Sequence, residues 1–235
     1  MAPDPLLVLV SSPALGPQVW KATGDELSSR GWAVTYAPHV ATTPETAADF
    51  VRALATAIPT GHDVVLVPHS NAGLYVPALV GRHQVVGSVF VDAGLPSRAG
   101  PTWLAPPHLY EFLRRRADTG GRLPPWTEWW DDEASAGLFP DATARRAVEA
   151  EQPRLPLSYF TDSVPARPGW DDKPCAYLAF GDTYATERDQ AAERGWPVRT
   201  LPGRHLQMLH DPAGVATAII ELLERLAAAA TGSPR

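Results

Sequence analysis

The chain has 235 residues, of which 45% are hydrophobic and 20% are charged. This composition excludes a disordered chain, and the length predicts one α/β domain with room for a large core and an insertion. A formal charge of −6 without a basic stripe argues against nucleic acid as a partner. No segment approaches the roughly 18 apolar residues of a membrane span, so we expect no membrane partner either.

The cell compartment is predicted from two features of the sequence. The first apolar run, residues 6–10, is short and has no Lys or Arg before it, unlike a secretory signal peptide. Cys175 is the only cysteine, which excludes an intramolecular disulfide and a cysteine-based zinc site. We therefore expect a cytoplasmic protein. The sequence carries no signal for an oligomeric state.

Strand and helix signals alternate along the first half of the chain. The predicted elements are, in order, strand 6–10, helix 17–29, strand 33–36, helix 43–58, strand 63–67, a helix that follows Ser70, and strand 85–91. Alternation of this kind is typical of a mostly parallel sheet flanked by helices, whose ligands bind at the carboxyl ends of the strands.

The alternation breaks after residue 95. Residues 96–170 hold five of the eight tryptophans and eleven of the 25 prolines, with two predicted helices near 108–117 and 141–151. The pattern then resumes as strand 176–180, helix 187–194, strand 198–201 and a closing helix 212–230. We therefore predict an α/β core made of residues 1–95 and 171–235, with residues 96–170 inserted as a helical cap or lid.

Ser70 lies between a β-branched strand and a helix, with the small residues Ala72 and Gly73 behind it. A nucleophile elbow needs this arrangement, because the tight turn tolerates only small neighbours and exposes the serine oxygen. The backbone N–H of Asn71 would then help to bind an oxyanion at the helix N-terminus. The segment lacks both glycines of the G-x-S-x-G pattern, so a serine that merely caps the helix is the alternative.

His205 follows the last predicted strand, where a loop can bring its ring over the sheet to Ser70. Imidazole is the natural base for a serine, because its pKa lies near neutrality. The alternative is a surface-loop histidine. His69, next to Ser70, is expected to point away from the site.

The strand order, the serine elbow, the insertion after the next strand, and Gly203 and His205 before the Asp211-Pro212 helix start together resemble the α/β-hydrolase fold superfamily. The resemblance spans nearly the whole chain and suggests a small capped serine hydrolase of bacterial type. It implies that Ser70 is the nucleophile and His205 the general base.

Two aspartates compete for the acid that would orient His205. The superfamily commonly places this acid three residues beyond a glycine, which here falls on Tyr184, so the nearby Asp182 is one candidate. Asp92 is the other and the preferred one, because residues 89–93 resemble haloalkane dehalogenases, which place a glutamate at this strand end. A buried Asp92 needs a partner, which an imidazole N–H supplies. The alternatives are a loop cap for Asp182 and an Asx turn for Asp92. Glu187 and Asp189 are weaker candidates for the acid, and we interpret both as solvated helix residues.

The second oxyanion donor is expected from the loop after the first strand. Pro13 has no N–H there, so the Ala14 N–H or the Ser12 hydroxyl would have to replace it. Three tryptophans of the insertion, Trp103, Trp126 and Trp130, are candidates for substrate contact, although such residues more often serve packing.

These features predict a serine hydrolase that uses no cofactor and no metal. Its small-molecule substrate would be a carboxylic ester, a thioester or a lactone with an apolar acyl part. The missing glycines and Pro13 leave two alternatives: a non-hydrolytic acid–base enzyme such as a lyase or cyclase, and a weakly active small-molecule-binding homologue.

Overall fold

The computed structural model of the protein describes residues 5–38, 43–131, 135 and 137–232. Six parallel strands form the main sheet: β1 (Leu6–Val10), β2 (Val34–Ala37), β3 (Val64–Ser70), β4 (Val85–Ala93), β7 (Cys175–Phe180) and β8 (Val198–Leu201). Their order across the sheet is β2–β1–β3–β4–β7–β8. The α/β prediction is confirmed, and the carboxyl ends of all six strands lie at one edge of the sheet.

Helices connect these strands and cover the sheet. They are α1 (Lys21–Ser29), α2 (Ala47–Ala57), α3 (Val76–Val80), α6 (Ala185–Glu193), α7 (Gln207–His210) and α8 (Pro212–Gly232). In the packing, α1 lies against α8 and α2 lies against α3. None of the described helices has both the length and the apolar composition needed to cross a lipid bilayer.

The start of α2 shows how the sequence sets a helix boundary. The expected start at residue 43 is too early, because Thr46 is the N-cap. The Thr46 hydroxyl accepts a hydrogen bond from the Asp49 N–H, and the Asp49 carboxylate accepts one from the Thr46 N–H. This capping box satisfies two N–H groups that the first helical turn leaves without partners.

The central strands are buried on both faces. Every residue of β3 is buried, and β7 is equally inaccessible. Strands covered by helices on both faces are uniformly apolar rather than alternating, as the Val64–Val67 and Cys175–Phe180 segments are. This buried centre holds Ser70 at the end of β3 and Asp92 near the end of β4.

Between β4 and β7 the chain leaves the main sheet. The segment contains β5 (Gly100–Trp103), α4 (Pro107–Arg114), α5 (Ala142–Glu149) and β6 (Ser163–Ala166), and β5 pairs with β6 in an antiparallel two-stranded sheet. Sequence patterns did not predict this small sheet, because Pro101 and Pro165 interrupt its strands. The two prolines face each other in a sheet made only of edge strands, where a missing N–H is tolerated.

Candidate active site

Ser70 ends β3 in a strained turn. Its backbone has φ of 60° and ψ of −136°, a conformation that is rare for a residue with a side chain. A 3-10 helix (Asn71–Tyr75) follows at once, and the Ser70 side chain makes no capping hydrogen bond to it. The Ser70 side chain therefore does not act as the cap that the alternative expected.

The His205 ring bridges Ser70 and Asp92. Its Nε2 lies 3.0 Å from Ser70 Oγ, and its Nδ1 lies 2.6 Å from Asp92 Oδ2. With the proton on Nδ1, the ring donates to the carboxylate and accepts from the serine hydroxyl. This is the geometry that general-base activation of a serine requires.

Asp92 is completely buried and has a φ of 42°. Besides His205, it accepts a hydrogen bond from the Phe180 N–H, 3.0 Å from Asp92 Oδ1. Each carboxylate oxygen thus has a partner, which compensates its removal from water.

Asp182 does not lie at the ring. Its side chain is 89% exposed, and Oδ1 lies 3.1 Å from Arg188 Nη1. Water and the guanidinium solvate this carboxylate, while the buried Asp92 already accepts from Nδ1 of His205. The structure therefore brings Asp92, and not Asp182, within hydrogen-bond distance of the His205 ring.

His69 packs directly on His205, contrary to expectation. The two rings stack with centroids 4.5 Å apart, and the His69 Nε2–H donates to the His205 carbonyl oxygen at 3.0 Å. Burial, and then the nearby His205, hold the pKa of His69 well below its usual range. A neutral ring therefore supports the loop that carries His205.

Tyr184 is a site residue that sequence reasoning missed. Its hydroxyl lies 3.4 Å from Ser70 Oγ, and its ring centroid lies 5.5 Å from that of His205. Burial raises the pKa of Tyr184 far above its ordinary value, so its hydroxyl stays protonated and can donate. The only available signal was its position three residues after Gly181, where a carboxylate was sought.

The three predicted oxyanion residues line the same cavity as Ser70. The Asn71 side chain is held in place: Nδ2 donates to the Leu104 carbonyl at 3.2 Å, and Oδ1 accepts from the Tyr75 hydroxyl at 3.2 Å. The Ala14 N–H donates to Ser12 Oγ at 3.4 Å, so these two candidate donors contact each other.

A cavity of about 1140 Å³ lies in front of Ser70 and His205. Trp103, Trp126 and Trp130 all line it, together with Trp129. The ring centroid of Trp126 lies 6.0 Å from that of His205, whereas Trp103 is 61% exposed at the surface. The cavity wall near the reacting groups is thus aromatic.

Glu187 also lines this cavity. Sequence patterns predicted a solvated helix position, but the side chain is only partly accessible. Burial first, and the negative charge of Asp92 further, raise the pKa of Glu187 above its usual range, although its own N–H opposes them.

No protein-family model and no curated protein matches the sequence. Solved structures do match. An extracellular α/β-hydrolase from a Paenibacillus species has 17% sequence identity and a TM-score of 0.71, over 93% of this chain and 99% of that one. Polyneuridine aldehyde esterase has 16% identity and a TM-score of 0.71, over 94% of this chain and 99% of the other. Tomato methylketone synthase I has 14% identity and a TM-score of 0.74, over 96% and 99%.

The chain has the α/β-hydrolase fold. At these identities the likeness concerns architecture, and this fold supports many chemistries. What the α/β-hydrolase fold explains here is placement: it brings the ends of β3 and β4 and the loop after β8 to one edge of the sheet.

Proposed function

We propose that the protein is a serine hydrolase in which Ser70, His205 and Asp92 form a catalytic triad. The observation that carries this proposal is the continuous hydrogen-bond chain from Ser70 Oγ through His205 to a buried, fully bonded Asp92 carboxylate. The substrate is a carboxylic ester, a thioester or a lactone with an apolar acyl portion, because aromatic side chains surround the reacting groups.

Acylation begins when the Ser70 hydroxyl gives its proton to His205 Nε2. Ser70 Oγ attacks the substrate carbonyl carbon, whose oxygen becomes an oxyanion in the tetrahedral intermediate. As this intermediate collapses, the leaving oxygen or sulfur takes the proton from Nε2. The Asp92 carboxylate accepts the Nδ1–H throughout and stabilises the transient imidazolium.

Deacylation repeats the sequence with water. Water loses a proton to His205 Nε2 as it attacks the acyl carbon, and Ser70 Oγ leaves and recovers that proton, which releases the acid. The Asn71 N–H, at the start of the helix after Ser70, supplies one oxyanion donor. The second comes from the Ser12–Ala14 loop, whose residues line the cavity.

Residues 96–170 act in this proposal as a cap over the core formed by residues 1–95 and 171–235. Two contacts support this role: Trp126 lies beside the His205 ring, and the Leu104 carbonyl binds the Asn71 side chain. Such a cap excludes water from the reacting groups, which strengthens the electrostatic stabilisation of the oxyanion.

The test is to replace Ser70 and to probe it covalently. We expect Ser70→Ala to lower the kcat for p-nitrophenyl butyrate by at least about 10³-fold with an unchanged circular dichroism spectrum. A fluorophosphonate should label Ser70 in the native protein and fail to label the variant. Undiminished hydrolysis in Ser70→Ala would refute the proposal.

A non-hydrolytic acid–base enzyme is the second candidate. The observation in its favour is that the Ala14 N–H is engaged by Ser12 Oγ, since a hydrolase needs free donors for its oxyanion. One of the solved structures with a similar fold is named a synthase, the tomato methylketone synthase I, and not a hydrolase. If Ser70 resists the fluorophosphonate while His205 proves essential for turnover of another substrate, this candidate replaces the first.

A further inference from the structure

The charged side chains of the described cavity wall, apart from its histidines, are of one sign, negative. Among the described residues that line it, none is a lysine or an arginine, and Glu187 is the only aspartate or glutamate. The remaining titratable groups there are His108, Tyr110, Tyr184 and His205. An anion entering this space meets aromatic rings and a carboxylate, and no lysine or arginine among the described lining residues compensates the loss of its hydration.

Glu187 has no cation to neutralise it from its own helix. It lies one residue before Arg188, but the Arg188 guanidinium binds Asp182 Oδ1 at 3.1 Å and Asp189 Oδ1 at 3.0 Å, both on the solvent side. The raised pKa of Glu187 agrees with a partly dehydrated carboxylate that has no positive partner within the described part of the chain. Its charge therefore acts on whatever occupies the cavity.

We infer that the cavity selects substrates by charge and that Glu187 is the specificity-determining residue. The cavity accepts neutral esters and esters that carry a cationic group. It rejects esters that carry a free carboxylate and thioesters whose carrier bears phosphate groups. This inference rests on the proposed hydrolase function and narrows it, because the phosphate-bearing thioesters drop out of the substrate class.

The test uses three p-nitrophenyl esters of equal acyl length, ending in a tert-butyl, a trimethylammonium or a carboxylate group. We expect the native protein to favour the cationic over the anionic ester in kcat/KM by at least about tenfold. Glu187→Gln should reduce this ratio about tenfold. Glu193→Gln, the same charge change at an exposed position of α6 outside the cavity, should leave the ratio as it was.

A binding measurement separates this inference from the proposed function. The three corresponding anilides, which resist hydrolysis, are titrated against the tryptophan fluorescence of the cavity. If the neutral ester is not hydrolysed but the anilides still bind in the order cationic over anionic, the hydrolase proposal fails and the charge selection stands. An anionic anilide that binds as tightly as the cationic one, or a ratio that Glu187→Gln leaves unchanged, overturns the inference.

Discussion

The two aspartates that competed for the acid role have opposite environments. Asp92 is fully buried and lies 2.6 Å from His205 Nδ1, whereas the Asp182 side chain is 89% exposed. A buried carboxylate fixes the imidazole tautomer, because it accepts only from a protonated Nδ1. An exposed one, surrounded by water and Arg188, exerts no such control.

We predict that Asp92→Asn lowers kcat by about 10³–10⁴-fold, because an amide at this position can donate to Nδ1 and so favours the wrong tautomer. The measurement is steady-state hydrolysis of a neutral p-nitrophenyl ester. Asp182→Asn is the matched control and should stay within about twofold of the native protein, since its carboxylate makes only an exposed ion pair. Equal losses in the two variants would contradict the assignment of Asp92.

Tyr184 provides a second prediction at a single residue. Its hydroxyl can donate to Ser70 Oγ, which bears negative charge as it attacks and again as it leaves the acyl-enzyme. A hydrogen bond to a charged group contributes about 1.5–3 kcal/mol, and at 3.4 Å the lower end applies. Tyr184→Phe should therefore reduce both kcat and the rate of fluorophosphonate labelling about tenfold. Tyr36→Phe, on β2 outside the cavity, is the control for loss of a phenol. A labelling rate unchanged in Tyr184→Phe would show that the hydroxyl does not assist Oγ.

At the scale of elements, the turn after β3 depends on Gly73. A Cβ built there would collide with the Gly94 carbonyl oxygen and lie 3.2 Å from both Ala93 Cβ and Phe90 Cδ1. These atoms belong to β4 and the residue after it, so the 3-10 helix can approach that strand only where a side chain is absent.

We therefore predict that Gly73→Ala lowers the free energy of unfolding by about 1–3 kcal/mol through overpacking. Gly81→Ala is the control: its φ is −78°, and a Cβ there meets only Arg167 Nη1, at 3.8 Å. It should be neutral or slightly stabilising, because alanine restricts the unfolded chain. Urea denaturation of both variants measures the difference. A Gly73→Ala variant as stable as Gly81→Ala would show that the turn relaxes without cost.

The sequence predicted some of the secondary-structure elements and not others. The six core strands were predictable, because buried parallel strands leave short apolar runs between turn residues. Two of the features that escaped are the β5–β6 pair, whose strands contain Pro101 and Pro165, and the 3-10 form of the segment after Ser70. Both depend on contacts with distant parts of the chain, which local propensity does not encode.

At the scale of the whole molecule, the order of elements along the chain predicted part of the candidate site. Ser70 ends β3, Asp92 lies near the end of β4 and His205 follows β8. Because parallel strands end at one edge of the sheet, topology alone brings these three residues near one another. His69 and Glu187 could not be placed in this way. A histidine in a buried strand and a glutamate in a polar helix usually serve packing and solvation. Only the course of the 202–206 loop places His205 on His69, and only the rotation of α6 places Glu187 at the cavity.

The pH dependence of stability is the last consequence, and it follows from the buried His69. Its pKa in the folded protein is far below 6.5, so below pH 6.5 the unfolded chain binds a proton that the folded protein does not. The contribution of His69 to the free energy of unfolding is then fully present above pH 6.5, and below it this free energy falls by up to about 1.4 kcal/mol per pH unit.

The variant His69→Gln removes this titrating group, and its amide can still donate to the His205 carbonyl. Although His83 acts in the same direction, it is common to both proteins. Urea denaturation at pH 7.5 and at pH 5.5 measures the difference. Between these two pH values, we expect the free energy of unfolding to fall by about 1 kcal/mol more in the native protein than in His69→Gln. Parallel losses would mean that His69 takes up its proton without unfolding.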